Sequence, residues 1–239
     1  MKITVRYITL IAALITGTQL WGQGSITGSV IFEGKGPRMR TIKMGADPVC
    51  SAAHTEPVKS ESVVVNGNGT LKNVLVSISA GLDGMKFEIP EEPVILDQNG
   101  CTYTPHVWGV MAGQTVEIRN SDATLHNIHS QSKQNRAFNF AMPKVVKKKN
   151  HTFDKSEDPF IIKCDVHPWM RTWAAVFDHP FYTVTDDTGK FTLENVPAGT
   201  YTVKAWHESG KKLPAQTLEV TVSDGQAASL DFDFTRTAK

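Results

Sequence analysis

The chain has 239 residues and a formal net charge of +1, with 25 lysines and arginines against 24 aspartates and glutamates. This length is enough for one or two domains. The near-neutral charge argues against a nucleic-acid-binding protein, since such proteins carry a basic surface for the phosphate backbone.

The N-terminus has the three regions of a secretory signal peptide. Lys2 and Arg6 supply the positive charge, a mostly apolar run follows over residues 7–20, and small residues begin at Gly22. We therefore predict a signal peptide at residues 1–24 and export to the periplasm or the medium. Cleavage is expected between residues 22 and 25, with no transmembrane segment in the mature chain, whose charge falls to about −1. A retained N-terminal anchor is the competing interpretation.

The rest of the chain reads as all-β. Short runs that alternate between apolar and polar residues are separated by turn-forming residues, which is typical of sandwiches and barrels. Five such runs lie at residues 62–65, 71–79, 94–96, 115–119 and 174–177. Helices should be few and short, because no long segment has a period of 3.6 residues.

A cluster of soft metal ligands follows the strand-like run at residues 160–163. Cys164, His167 and Met170 occur within one seven-residue stretch, and a further histidine, His126, stands upstream in the sequence His-Asn-Ile-His. Two imidazoles and a thiolate in a plane, with a weak axial thioether, form the ligand set of an electron-transfer copper site. A structural zinc site would have no use for the methionine.

At these residues the chain resembles the cupredoxins, and in particular amicyanin, with its short Cys-x2-His-x2-Met spacing and its His-Asn-x-His stretch. The resemblance covers roughly residues 60–178. It implies a Greek-key β-sandwich that holds one type 1 copper, with His126, Cys164 and His167 in the equatorial plane and Met170 as axial ligand.

Three neighbouring residues complete the predicted site. Asn127 is expected to link the two ligand loops by hydrogen bonds. Pro168 has no N–H and cannot donate to the Cys164 sulfur. His129 lies too far along its strand to reach the metal, so we interpret it as a surface or supporting histidine.

Cys50 and Cys101 remain for an oxidising compartment, and we expect them to form a disulfide. Such a bond closes a loop of 51 residues, which corresponds to about 4 kcal/mol in the chain-entropy model. We expect this pair to lie outside the ligand loops. A competing interpretation joins both cysteines with His54 and His106 in a second metal site.

The segment after His179-Pro180 has a different pattern. Phe191, Leu193, Tyr201 and Val203 alternate toward one face around two turns. This resembles the carboxypeptidase regulatory-like domain, a small Ig-like or prealbumin-like β-sandwich whose opening strand is matched by residues 26–34. The predicted organisation has four parts: a signal peptide at 1–24, the first strand or strands of the regulatory-like sandwich at 25–45, the cupredoxin-like copper domain at 46–179, and the rest of the regulatory-like sandwich at 180–239.

The sequence therefore predicts an exported one-electron carrier with a single type 1 copper, and no enzyme, because no open coordination position is visible. A redox protein, either a cytochrome or a dehydrogenase, is the expected partner. Four alternatives remain: a copper chaperone or store, an enzyme, a redox sensor, and a secreted binding module whose C-terminal sandwich contacts carbohydrate or the cell envelope.

The basic cluster at residues 144–149 is interpreted as a solvated loop, with docking of an acidic redox partner as its alternative.

Overall fold

The computed structural model describes residues 23–236 and is almost entirely β-structure, which confirms the predicted all-β class. The strands of this part of the chain are β1 (Gln23–Glu33), β2 (Val64–Val65), β3 (Leu71–Lys72), β4 (Leu75–Ala80), β5 (Val94–Asn99), β6 (Thr102–Thr104), β7 (Val107–Met111), β8 (Thr115–Asn120), β9 (His126–Ser130), β10 (Asn139–Met142), β11 (Lys148–Thr152), β12 (Glu157–Lys163), β13 (Arg171–Phe177), β14 (Tyr182–Val184), β15 (Lys190–Pro197), β16 (Gly199–Trp206), β17 (Gln216–Val222), β18 (Ala227–Ser229) and β19 (Phe232–Thr235). A five-residue helix, α1 (Pro48–Ala52), and a 3₁₀ turn (Gly210–Lys212) are the helical elements described.

Apart from the short β2–β3 pair, these strands form two β-sandwiches. The central sandwich consists of a five-stranded sheet in the order β10-β9-β12-β13-β7 and a four-stranded sheet in the order β11-β8-β5-β6. The terminal sandwich consists of the sheet β14-β4-β16-β17 and a sheet in which β1 pairs with β15, β18 and β19. Each encloses its own apolar core, because the alternating residues of both facing sheets point inward.

The division between the sandwiches differs from the predicted boundaries. Strand β4, within the range 46–179 expected for the copper domain, pairs with β14 and β16 and adds Val76 and Ile78 to the terminal core. Met44, predicted to belong to the regulatory-like part, packs in the central core together with Cys50. The chain therefore passes between the sandwiches several times, rather than entering and leaving the central one once.

The two sandwiches are joined by a small apolar cluster and by polar contacts. Leu75, Val107 and Ala175 are buried in this interface. Glu208 of the terminal sandwich accepts hydrogen bonds from His106 Nε2 at 2.6 Å and from Trp173 Nε1 at 2.7 Å. These contacts fix the end of the central sandwich near residue 106 against the terminal one.

The predicted signal peptide lies outside the described residues except for Gln23 and Gly24, with which β1 begins. Within residues 23–236, no helix has the length and apolar character needed to cross a bilayer.

His207, which precedes Glu208 at this interface, should make stability depend on pH. Burial lowers its pKa to about 4, and its Nδ1 accepts the Ser209 N–H at 3.1 Å, which requires the neutral ring. Because the unfolded imidazole titrates near 6.5, this stabilisation is complete above that pH and is lost as pH falls toward 4. We expect a loss of about 2 kcal/mol in the free energy of unfolding between about pH 7 and pH 5.

Urea unfolding at both pH values tests this expectation when the protein is compared with His207→Asn, whose amide oxygen can replace Nδ1 as acceptor. The variant should lack most of the pH-dependent loss. An equal loss in both proteins would assign it to other groups.

Candidate metal centre

Two adjacent strands bring the predicted ligands together. His126 is the first residue of β9, and Cys164 follows directly after β12, which pairs with β9. The loop from Cys164 to Met170 is closed by hydrogen bonds from Cys164 N to Met170 O at 3.1 Å and from Met170 N to His167 O at 2.9 Å. A local turn and one strand pairing therefore position all four side chains.

The donor atoms of three of these residues converge. His126 Nδ1 lies 2.9 Å from His167 Nδ1, and the Cys164 sulfur lies 3.9 Å from the latter. All three ligand atoms lie within 4.8 Å of one another. Ligand atoms bonded to one ion at about 2.0–2.3 Å in a trigonal or tetrahedral arrangement lie about 3.3–4.0 Å apart, and small side-chain rotations would bring the three atoms into that range. The spacing, and a donor set of two imidazole nitrogens and one sulfur, thus fit one soft metal ion.

The four side chains are closed off from solvent. His126 is 0% exposed, Met170 1%, and Cys164 and His167 2% each. Met170 is buried in the central core beside Cys164 and belongs to the same loop.

Two carboxylates orient the imidazoles. His126 Nε2 lies 2.8 Å from Asp122 Oδ2, and His167 Nε2 lies 2.9 Å from Asp47 Oδ2. Ionised carboxylates only accept hydrogen bonds, so each Nε2 carries a hydrogen and each Nδ1 faces the donor cluster. This is the carboxylate–histidine arrangement that fixes the tautomer and raises the basicity of a metal-ligating imidazole.

Asp122 is itself held in the ionised form. Burial opposes its ionisation, but hydrogen bonds from His126 and from the backbone N–H groups of Cys101 and Gly100 outweigh burial and lower the pKa. Burial would also lower the pKa of His126, but Asp122 and Cys164 outweigh it and raise that pKa to about 9. At neutral pH such an imidazole carries hydrogens on both ring nitrogens, and a metal bound at Nδ1 would displace one of them.

The pKa of the Cys164 thiol is also set by burial on one side and hydrogen bonds on the other. Burial opposes the thiolate, but the hydrogen bond with His126 and nearby backbone groups outweigh it, so the pKa lies below its usual value. The His167 N–H points at the sulfur from 3.4 Å. Because Pro168 has no N–H, backbone donation toward the sulfur comes from other residues, His167 and Val166 of the loop and Asn127 among them.

Asn127 joins the two ligand loops. Its Oδ1 accepts the Asp165 N–H at 2.7 Å and the Cys164 thiol at 3.3 Å. His129 instead pairs with Asp165, with 2.7 Å between Nδ1 and Oδ2. It lies apart from the donor cluster, which agrees with its interpretation as a supporting residue.

The expected Cys50–Cys101 disulfide is present, and both sulfurs are fully buried. The pair lies outside the ligand loops, as expected, but it packs against one of them, because the Cys50 sulfur is 3.6 Å from His167 Nε2. Helix α1 places it there: Asp47 caps the helix by accepting the Val49 N–H and also contacts His167. The segment of residues 44–53, called the cap segment below, therefore covers one side of the candidate centre.

The competing four-residue site is not assembled. His54 Nε2 contacts the Gly100 carbonyl at 2.7 Å, and His106 pairs with Glu208 at the interface between the sandwiches. The two cysteines are bonded to each other. The structure thus separates these side chains into a disulfide and two unrelated histidine contacts.

The sequence prediction assigned no role to the two carboxylates, Asp47 and Asp122, that contact the candidate histidine ligands. Asp122 had a local signal, since it stands four residues before His126 and shortly before strand β9 begins. Asp47 had only the Asp-Pro pair typical of a helix start, which says nothing about a contact 120 residues away.

A comparison with protein families agrees with the prediction for the C-terminal part of the chain. The family model of the carboxypeptidase regulatory-like domain matches residues 176–235, which confirms the predicted resemblance to that domain. No curated protein matches the sequence.

Solved copper proteins are among the similar structures. A copper-containing nitrite reductase from Thermus scotoductus SA-01 is 22% identical with a TM-score of 0.34, and the match spans 43% of this chain and only 25% of that one. A Cu(I) amicyanin variant gives 23% identity and a TM-score of 0.33 over 43% of this chain and 98% of its own. A purple cupredoxin from Nitrosopumilus maritimus is 22% identical with a TM-score of 0.30, and the match spans 35% of this chain and 99% of that one. The copper interpretation itself depends on the donor cluster of this chain.

Proposed function

We propose that this protein is an exported carrier of single electrons that uses one type 1 copper bound by His126, Cys164, His167 and Met170. The convergence of two imidazole Nδ1 atoms and one thiol sulfur in a buried pocket carries the proposal. When bound there, copper supplies a one-electron couple between Cu(II) and Cu(I). A redox protein outside this chain would donate or accept the electron.

The surroundings of the ligands support a carrier. Asp47, Asp122 and Asn127 hold the ligand side chains through hydrogen bonds from both loops and from the cap segment. Ligands held in this way keep nearly the same positions in both oxidation states, which favours rapid electron exchange. Burial of all four ligands also argues against a chaperone or store, which must pass its metal to a partner, and against an enzyme, which must admit substrate.

The visible spectrum tests this proposal. Copper-loaded protein should show an intense thiolate-to-Cu(II) band, and Cys164→Ser should abolish it while far-UV circular dichroism shows the fold retained. His129→Ala is the matched control and should keep the band. A colourless protein that binds zinc more tightly than copper would refute the type 1 assignment.

A further inference from the structure

The imidazole edge of His167 is closed to any partner. Its Nε2 contacts Asp47 at 2.9 Å and lies 3.6 Å from the Cys50 sulfur, and the residue is 2% exposed. The cap segment therefore stands between this ligand and solvent. An electron that reaches the centre from a bound protein needs another point of contact.

Trp169 offers such a contact. Its ring centroid lies 5.0 Å from that of His167, and its Nε1 donates to the Cys101 carbonyl at 3.0 Å. The side chain is half-buried, and together with Met170 it lines a cleft of about 870 Å³ between the two sandwiches. One wall of this cleft thus consists of two residues of the ligand loop.

The cleft is strongly basic. Its lining includes six cationic residues, Arg38, Arg40, Lys59, Arg171, Lys212 and Arg236, against the acidic Glu61 and Glu208. Glu208 is already bound to His106 and Trp173. Among residues 23–236, no ion pair or side-chain hydrogen bond involves the guanidinium groups of four of these residues, Arg38, Arg40, Arg171 and Arg236. Unpaired guanidinium groups around a concave surface favour carboxylate-bearing ligands.

We propose that this cleft is the docking site of an acidic one-electron redox protein and that electrons pass between partner and copper through Trp169. The inference rests on the proposed copper function. In the reducing direction the partner loses one electron and Cu(II) gains it, with no bond made or broken. The basic lining favours a partner with an acidic surface. A partner docked in the cleft would lie next to Trp169, whose ring contacts the candidate ligand His167.

The test uses reduced flavodoxin as an acidic one-electron probe and hexaammineruthenium(II) as a cationic one, with bleaching of the visible band followed by stopped flow. Arg38→Glu/Arg40→Glu should lower the second-order rate with flavodoxin roughly tenfold at low ionic strength, and this difference should vanish at high salt. The same variant should not slow the cationic probe.

The matched control Lys144→Glu/Lys149→Glu makes the same change in net charge at the other basic cluster and should change the flavodoxin rate less than about twofold. Trp169→Leu should keep the band but lower the flavodoxin rate at every salt concentration.

The other outcomes are decisive as well. Equal slowing by both charge-reversed variants, or an unchanged rate in Trp169→Leu, would overturn the inference. If the arginine variant slows only a small anion such as hexacyanoferrate(II) and not flavodoxin, the cleft is a small-anion site and the protein-docking proposal is wrong. Absence of the visible band in the unaltered protein would instead refute the copper function, so the two failures are distinguishable.

Discussion

Removing the Cys50–Cys101 disulfide is expected to weaken the fold and to disturb the metal centre at the same time. Opening a closed loop of 51 residues costs about 4 kcal/mol in the chain-entropy model. The second effect follows from geometry, because the disulfide ties α1 to the strand region that begins at Thr102. Without that tie, Asp47 and its contact to His167 Nε2 are held only by the weaker contacts of the cap segment.

The copper-loaded Cys50→Ala/Cys101→Ala variant provides the measurement. Its urea midpoint should fall, its visible band should shift, and its reduction potential should change. Asp47→Asn is the control that keeps the disulfide but alters the same contact, so it should change the band and potential with little loss of stability. A double variant that loses stability with an unaltered band and potential would show that the cap segment holds its place without the disulfide.

The convergence of the candidate ligands could be predicted because most of them are local in sequence. Cys164, His167 and Met170 share one loop, and a strand on each side fixes how that loop closes. The all-β class likewise followed from alternation within short segments. Information of this kind is contained in a few neighbouring residues and does not depend on how distant parts of the chain meet.

The features that were missed depend on long-range pairing. The pattern of residues 71–79 predicts a strand, but nothing in those residues specifies that β4 joins β14 and β16 of the terminal sandwich. The contact of Asp47 with His167, and of Cys50 with the same ring, arises because the cap segment leaves one sandwich and packs on the other. The pairing of Cys50 with Cys101 could be predicted because these two cysteines remained once Cys164 was assigned to the metal, but the contact of Cys50 with His167 could not.

Asp122→Asn should produce the largest single-residue effect outside the ligands. The buried carboxylate accepts from His126 Nε2 and from the backbone N–H groups of Gly100 and Cys101, each at 2.8 Å. An amide has only one accepting oxygen, so at least one of these donors would face the new amide nitrogen. Leaving a buried donor unpaired beside a lost charge should cost about 2–4 kcal/mol of unfolding free energy.

The same substitution should weaken metal binding, because His126 loses the carboxylate that fixes its tautomer and raises its basicity. Removing such a partner typically costs about 10–100-fold in metal affinity. Asp47→Asn is the matched comparison, since Asp47 plays the same part for His167 but its side chain is 19% exposed against 8% for Asp122. Water can replace part of the lost contact there, so we expect a smaller loss of both affinity and stability.

Competition with a chelator of known copper affinity, together with urea unfolding of the metal-free proteins, measures both quantities. If the two variants are equally mild, the carboxylates do not support the ligands, and the hydrogen bonds within the ligand loop alone set the geometry of the centre.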